Sequence, residues 1–125
     1  MSASSLLQAE PLLPIYDGRD LSLKKLATFM DIGHGELAKI SQRNIRTIER
    51  VHPSAVVINR LQPLLYALKM LWQLTDGNIS EIQRWLREPL IEWRGLSPLD
   101  LLTSDRIDAV VTLVERIYYG DSAGY

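Results

Sequence analysis

The chain has no cysteine among its 125 residues. That excludes disulfides and thiolate metal sites, and it fits a reducing cytoplasm. Histidine is almost as scarce: His34 and His52 stand far apart, and neither has a carboxylate at a ligand spacing, so no metal site is expected. With so few candidate bases, a nucleophile–base constellation is hard to assemble. Glu88 and Glu92 come nearest to a carboxylate pair, but Pro89 falls between them, and solvated carboxylates are the better reading than general acid–base work. Gly33-His34-Gly35 is too short for a phosphate loop, and no GxxxxGK[ST] motif occurs. No uncharged apolar run is long enough to span a bilayer. The opening MSASSLLQAEPLLPIY lacks the basic region and long apolar core of a secretory signal. The expectation is a cytoplasmic protein with no enzymatic activity, no cofactor and no membrane partner.

What is present is enough for a self-sufficient fold. A chain of this length buries about two thirds of the surface its unfolded form exposes, which needs no covalent staple. Net charge is −1, but it is unevenly spread. Residues 19–60 carry eight Lys/Arg against four Asp/Glu, and residues 61–125 carry six against nine. A basic middle and an acidic finish hint at a nucleic-acid face and a separate protein-facing surface.

The apolar periodicity is helical throughout, and nothing reads as a strand. Residues 1–19 have no sustained period and form a flexible or loosely docked arm. A first helix starts near Asp20 or Ser22 and carries Leu23, Leu26, Ala27 and Met30. A second runs from about Gly35 to Ser41. A third is capped by Asn44, reaches about Val51 and buries Ile45 and Ile48. The long apolar stretch from Val56 to Leu74 predicts a central helix, with Pro63 either kinking it or marking its first turn. Ser80 and Gln83 resemble a capping box opening a helix through Ile82, Trp85 and Leu86. Ser97-Pro98 opens a short helix. Thr103 or Ser104 caps a last one, with a stripe of Ile107, Val110, Val111, Val114, Ile117 and Tyr118 that Gly120 ends. The predicted class is all-α: a helix-turn-helix, a long central helix and a C-terminal helical region.

The segment ELAKISQRNIRTIER, residues 36–50, fits a helix-turn-helix. Ala38 sits where the two helices would cross. On the third helix Arg43, Arg46, Thr47 and Arg50 fall at i, i+3, i+4 and i+7, opposite Ile45 and Ile48. That is an apolar back with a basic front, as a recognition helix requires. Lys39, Arg43, Asn44, Arg46, Thr47 and Arg50 are the candidate DNA-binding residues. A competing register makes residues 35–41 the reading helix, with only His34 and Lys39 as cations, and a plain helical hairpin with solvated arginines remains open beside both. Aromatics gather near the other end. Trp93 is either a core plug or an exposed anchor. Tyr118, Tyr119 and Tyr125 flank the small residues of a tail after Gly120.

Residues 82–121, IQRWLREPLIEWRGLSPLDLLTSDRIDAVVTLVERIYYGD, resemble the C-terminal toxin-binding domain of the Xre/MbcA/ParS antitoxin family. The shared features are Trp85-Leu86 before Pro89, Gly95 with Ser97-Pro98-Leu99, Leu102, then Val110, Ile117 and Gly120. Leu90 stands where the family usually has asparagine, Trp93 where leucine is common, and Gln42-Arg43 where another turn pair is usual. Residues 1–19 fall outside the resemblance and stand as the arm; beyond them the resemblance implies a helix-turn-helix-like DNA-binding region (20–53), a linking and dimerisation helix (54–78) and a toxin-binding domain (79–125). It implies a cognate RES-domain, NAD-consuming toxin and operator DNA as partners, in a homodimer or a larger assembly with toxin. The toxin-binding residues it points to are Trp93, Arg94, Tyr118, Tyr119, Asp121 and Tyr125. Two other readings stay open: a regulator with no toxin partner, and an interaction module whose helix-turn-helix does not bind DNA.

Overall fold

A computed structural model describes residues 13–50 and 52–120. Seven α-helices and one 3-10 turn make up most of it, in agreement with the all-α expectation. Each boundary has a local cause. Ser22 accepts from the Lys25 amide (3.2 Å) and opens α1, Leu23–Met30. Asp31, in the left-handed region, ends it. The Glu36 carboxylate accepts from the Gly33 amide (3.1 Å) at the start of α2, His34–Ser41. Asn44 accepts from the Thr47 amide (3.1 Å) and opens α3, Ile45–Ile48. Ser54 caps α4, Ala55–Leu74. Asn78, not Ser80, caps α5, Ile79–Leu86, because its side chain lies one turn before the Glu81 amide (3.1 Å). Ser97 and Asp100 exchange side-chain-to-amide bonds (3.1 and 2.9 Å) around the Pro98 that starts α6, Pro98–Thr103. The last helix, α7, Ile107–Tyr119, has no side-chain cap; neither Thr103 nor Ser104 serves, since both belong to the end of α6. Gly120 closes it with φ +66, a conformation that favours glycine.

Over residues 13–19, the described part of the expected arm, the chain is structured and docked. Tyr16–Asp17 (β1) and Asp20–Leu21 (β2) pair antiparallel around Gly18, whose φ of +61 suits a hairpin turn. Two-residue strands are too short to show a period. Ile15 is fully buried and Leu13 nearly so, so the chain is docked from Leu13 onward. The Ser22 amide bonds to the Ile15 carbonyl (2.9 Å), and Lys25 reaches both the Tyr16 carbonyl (3.0 Å) and the Asp17 carboxylate (2.6 Å). Residues 1–12 lie outside the described part.

The helix α4 is the centre. Val57, Leu61, Leu64, Leu65, Ala67, Leu68, Met70 and Leu71 are all buried. Pro63 neither starts this helix nor stops it; lacking an N–H, it leaves the Asn59 carbonyl without its helical donor. Along its length α4 packs on α7. Arg60 pairs with Asp105, Tyr66 with Glu115 and Gln73 with Tyr118, in ascending order on both, so the two run in the same direction. On α7 the buried residues are Ile107, Ala109, Val110, Leu113 and Val114. The anticipated stripe is therefore shorter at its end: Ile117 (48% exposed) and Tyr118 (36%) face outward because α4 stops at Leu74.

One continuous core links the N- and C-terminal halves, from Leu13 to Val114. α1 packs against α5, and α2 against α6. The Gln83 amide donates to the Phe29 carbonyl (3.0 Å), and the Arg87 guanidinium donates to the carbonyls of Met30 and Asp31. A cation at the end of α5 thereby satisfies the C-terminal end of α1, which has no basic residue of its own in its last turn. Asp105 ties a third junction. It bonds to Arg60 of α4 and to Gln42 of the α2–α3 turn, and the Arg60 hydrogen bond chiefly holds its carboxyl below the usual carboxylate range.

Two measurements follow from this packing. Ile15→Ala should lower unfolding stability by about 2–5 kcal/mol in urea titration; a loosely held arm would give no change. For Asp105 the folded-state pKa is lowered, so its contribution is present above the ordinary carboxylate value and disappears as pH falls through the folded one. Asp105→Asn keeps a side chain that tolerates the left-handed backbone here (φ +62). The variant should be less stable than the parent at pH 7, and the gap should close below about pH 4.

Candidate functional site

Two surfaces carry the residues singled out in the sequence. The first lies around the α2–α3 turn. Gln42 adopts the left-handed conformation (φ +57), and the Arg43 amide bonds to the Ala38 carbonyl (2.9 Å), which folds the chain sharply between the helices. Ile48 is fully buried behind α3. The helix itself is one turn long, and this corrects the expected recognition helix. Arg43 precedes the Asn44 cap and Arg50 follows the helix, so Arg43, Arg46, Thr47 and Arg50 do not share one helical face. Ile45 is 47% exposed instead of docked. The physical reason is the short interval between the Asn44 cap and Pro53, which disfavours helix at His52. Beyond Ile48 come Glu49 and Arg50, both exposed, so neither anchors a second turn to the core. Val51 lies outside the described residues.

The cations are nonetheless available. Lys39, Arg43, Arg46 and Arg50 are exposed, and none is held in an ion pair or side-chain hydrogen bond among the described residues. Asn44 and Thr47 are occupied with each other: the Thr47 amide and hydroxyl (3.2 Å) both donate to the Asn44 side-chain oxygen. Glu49 sits 3.7 Å from His34 and brings a carboxylate to the edge of the patch.

The second surface spans the loop after α5 and the end of α7. The 3-10 turn Ile91–Trp93 is bracketed by a bridge between Leu90 and Leu96. Trp93 is half-buried against the core, with the Arg106 guanidinium over its ring, 5.0 Å from the centroid. It acts as plug and platform together, between the two alternatives left by the sequence. Arg94 is exposed in the left-handed conformation. Glu92 meets Arg116 at 3.4 Å, which draws the loop beside the last turn of α7. On that turn Tyr118 and Tyr119 stand edge to face, with ring centroids 5.0 Å apart. The Tyr118 hydroxyl donates to Gln73 (2.6 Å), and Tyr119, 65% exposed, shares a hydrogen bond with Tyr66. That bond, with partial desolvation and the nearby Glu115 carboxylate, pushes the Tyr66 phenol up to about 12. Asp121 and Tyr125 lie outside the described residues.

Sequence reasoning missed Tyr66, Ile91 and Leu96, all large, apolar or aromatic, and exposed. Tyr66 sits inside an apolar run, where composition predicts burial. Ile91 sits in a segment with no period to test. Also unforeseen is a groove of about 710 Å³ between the hairpin and α4, lined by Tyr16, Leu21, His52, Lys69 and Trp72 among others. No cluster of three or more metal-ligating side chains exists among the described residues, and no helix among them is long and apolar enough to cross a membrane.

No curated protein matches the chain. Residues 67–120, from the second half of α4 through Gly120, match the family model described as the antitoxin Xre/MbcA/ParS C-terminal toxin-binding domain. The matched range includes the Trp93 loop, the proline-started α6 and the end of α7 with its tyrosine pair. Over residues 67–120, therefore, the chain is similar to the C-terminal toxin-binding domain of the Xre/MbcA/ParS antitoxins.

Proposed function

We propose that the protein is the cytoplasmic antitoxin of a type II toxin–antitoxin pair. It neutralises a RES-domain, NAD-consuming toxin by covering the toxin's active-site cleft, and it represses its own operon through the α2–α3 region. The observation that carries the toxin half is the location of the exposed and half-buried aromatic and cationic residues. Trp93, Arg94, Tyr118 and Tyr119 all fall inside the matched toxin-binding domain, on two segments joined by the Glu92–Arg116 pair. Tyrosine, tryptophan and arginine are the residue types that dominate interface energetics, and a hydrogen-bonded, edge-to-face tyrosine pair loses little freedom on docking. Asp121 and Tyr125, which the sequence reading adds to the same surface, lie outside the described residues. The mode of action is occlusion by binding, without chemistry of its own.

For the DNA half, the support is the set of four exposed cations around one tight turn, none of them ion-paired among the described residues. Arginines placed before, on and after a one-turn helix suit phosphate clamping better than base reading, because base-edge contacts need a helix laid along the groove. A dimer would place two such patches on adjacent half-sites. The short α3 also favours a second reading, a protein-interaction module whose N-terminal region does not grip DNA. A regulator without a toxin partner has only the cationic patch behind it.

Two experiments separate these. In co-expression, the RES-domain protein encoded beside this gene should co-purify with the antitoxin. Replacing Tyr118 and Tyr119 together with alanine should weaken that complex by roughly 2 kcal/mol or more. An unchanged affinity would remove the tyrosine pair from the interface. For DNA, affinity for the upstream region should fall with salt at a log–log slope of about −0.9 per neutralised phosphate. Arg46→Ala with Arg50→Ala should lower affinity and flatten the slope. Identical curves for parent and double variant would favour the interaction module.

A further inference from the structure

The loop from Pro89 to Leu96 is unusually well held for a connection. Within it the Trp93 and Gly95 amides bond to the Leu90 carbonyl (3.1 and 2.8 Å), and the Arg94 amide to Ile91 (3.1 Å). The Leu96 amide reaches Trp93 (3.0 Å), and the Leu90 amide returns to Leu96 (3.0 Å). Its side chains are anchored as well. Leu90 and Trp93 pack on the core, Trp93 lies under Arg106, and Glu92 is paired with Arg116. The Ile91 side chain takes no part in this arrangement. Ile91 is 97% exposed, against 65% for Tyr119 and 58% for Val56, the next most exposed of the large apolar residues. Leu96, at the other end of the same loop, is 46% exposed.

The fold gains nothing from an isoleucine at this place. Leu90 and Trp93 already fill the space beneath the loop, and a polar residue would hydrate better where Ile91 stands. Scattered exposed apolar residues are common on protein surfaces. A β-branched one at the tip of a five-bond loop is different in two respects. It has few rotamers to lose, and its backbone is already ordered, so the entropic cost of docking is low. Removing such a side chain from water favours association by roughly ten- to a hundredfold. The loop also lies in the middle of the matched toxin-binding domain, and the Glu92–Arg116 pair makes it continuous with the Tyr118–Tyr119 turn.

We infer that Ile91 is an anchor for the toxin: it enters an apolar socket on the toxin surface, with Leu96 and Arg94 at the rim. This rests on the toxin-binding reading and specifies its point of entry. The socket it fits is lined by aliphatic or aromatic side chains and is sized for one branched residue, since a charged or hydrated surface offers nothing to an isoleucine.

The test uses the full chain and the purified RES-domain protein encoded beside it. Ile91→Asp should weaken binding by roughly 30-fold or more in calorimetry. Ile91→Val, which keeps the branch, should stay within a few-fold of the parent. The thermal midpoint and circular dichroism of both variants should match the parent, because the side chain touches almost nothing in the fold. If the parent binds the toxin and Ile91→Asp binds equally well, the inference fails while the toxin-binding reading stands. If the parent does not bind, both fail. If Ile91→Asp alters only self-association in sedimentation, the tip docks on a second copy, and the toxin assignment is overturned.

Discussion

The packing of α4 against α7 is the contact on which the remaining architecture depends. α4 buries side chains on most of its circumference, so it cannot be a detachable linker between an N-terminal and a C-terminal module. One side of it meets α7, while α1, α2, α5 and α6 close around the same core. Removing α7 would strip cover from residues such as Leu61, Leu64 and Leu68, which are at most 1% exposed. The segment similar to the toxin-binding domain begins at residue 67, inside α4, so it shares that helix with the N-terminal region.

Shared helices bring shared junctions. Asp105, at the entrance to α7, contacts both Arg60 of α4 and Gln42 at the α2–α3 turn. Arg87 and Gln83 of α5 complete the end of α1. The cationic turn and the aromatic surface are therefore parts of one packed unit. Movement of either would be felt at these polar contacts, since Asp105 is bonded to both elements at once.

Much of the helical plan was readable from short-range chemistry. Ser22, Asn44, Ser97 with Asp100, and Gly120 announce helix ends because capping is a contact between neighbours in sequence. The misassigned ends have equally local explanations. Asn78 outcompeted Ser80 because it already sits in the turn after α4, and Arg106 opens α7 because the left-handed Asp105 reverses the chain. The hairpin at Tyr16–Leu21 left no periodic trace, and the burial of Ile15 depends on a surface made by residues distant in sequence.

Sequence alone determined the all-α class, the exclusion of thiol chemistry, the clustering of cations near the middle, and the order of motifs matching the toxin-binding domain. These depend on composition, period and nearest-neighbour capping. Tertiary structure alone decided that α3 is a single turn with its arginines spread around it, that Trp93 lies under Arg106, and that Ile91 stands in water beside the Tyr118–Tyr119 turn. Exposure is set by which other segments arrive at a side chain, and that information is absent from the residue and its neighbours.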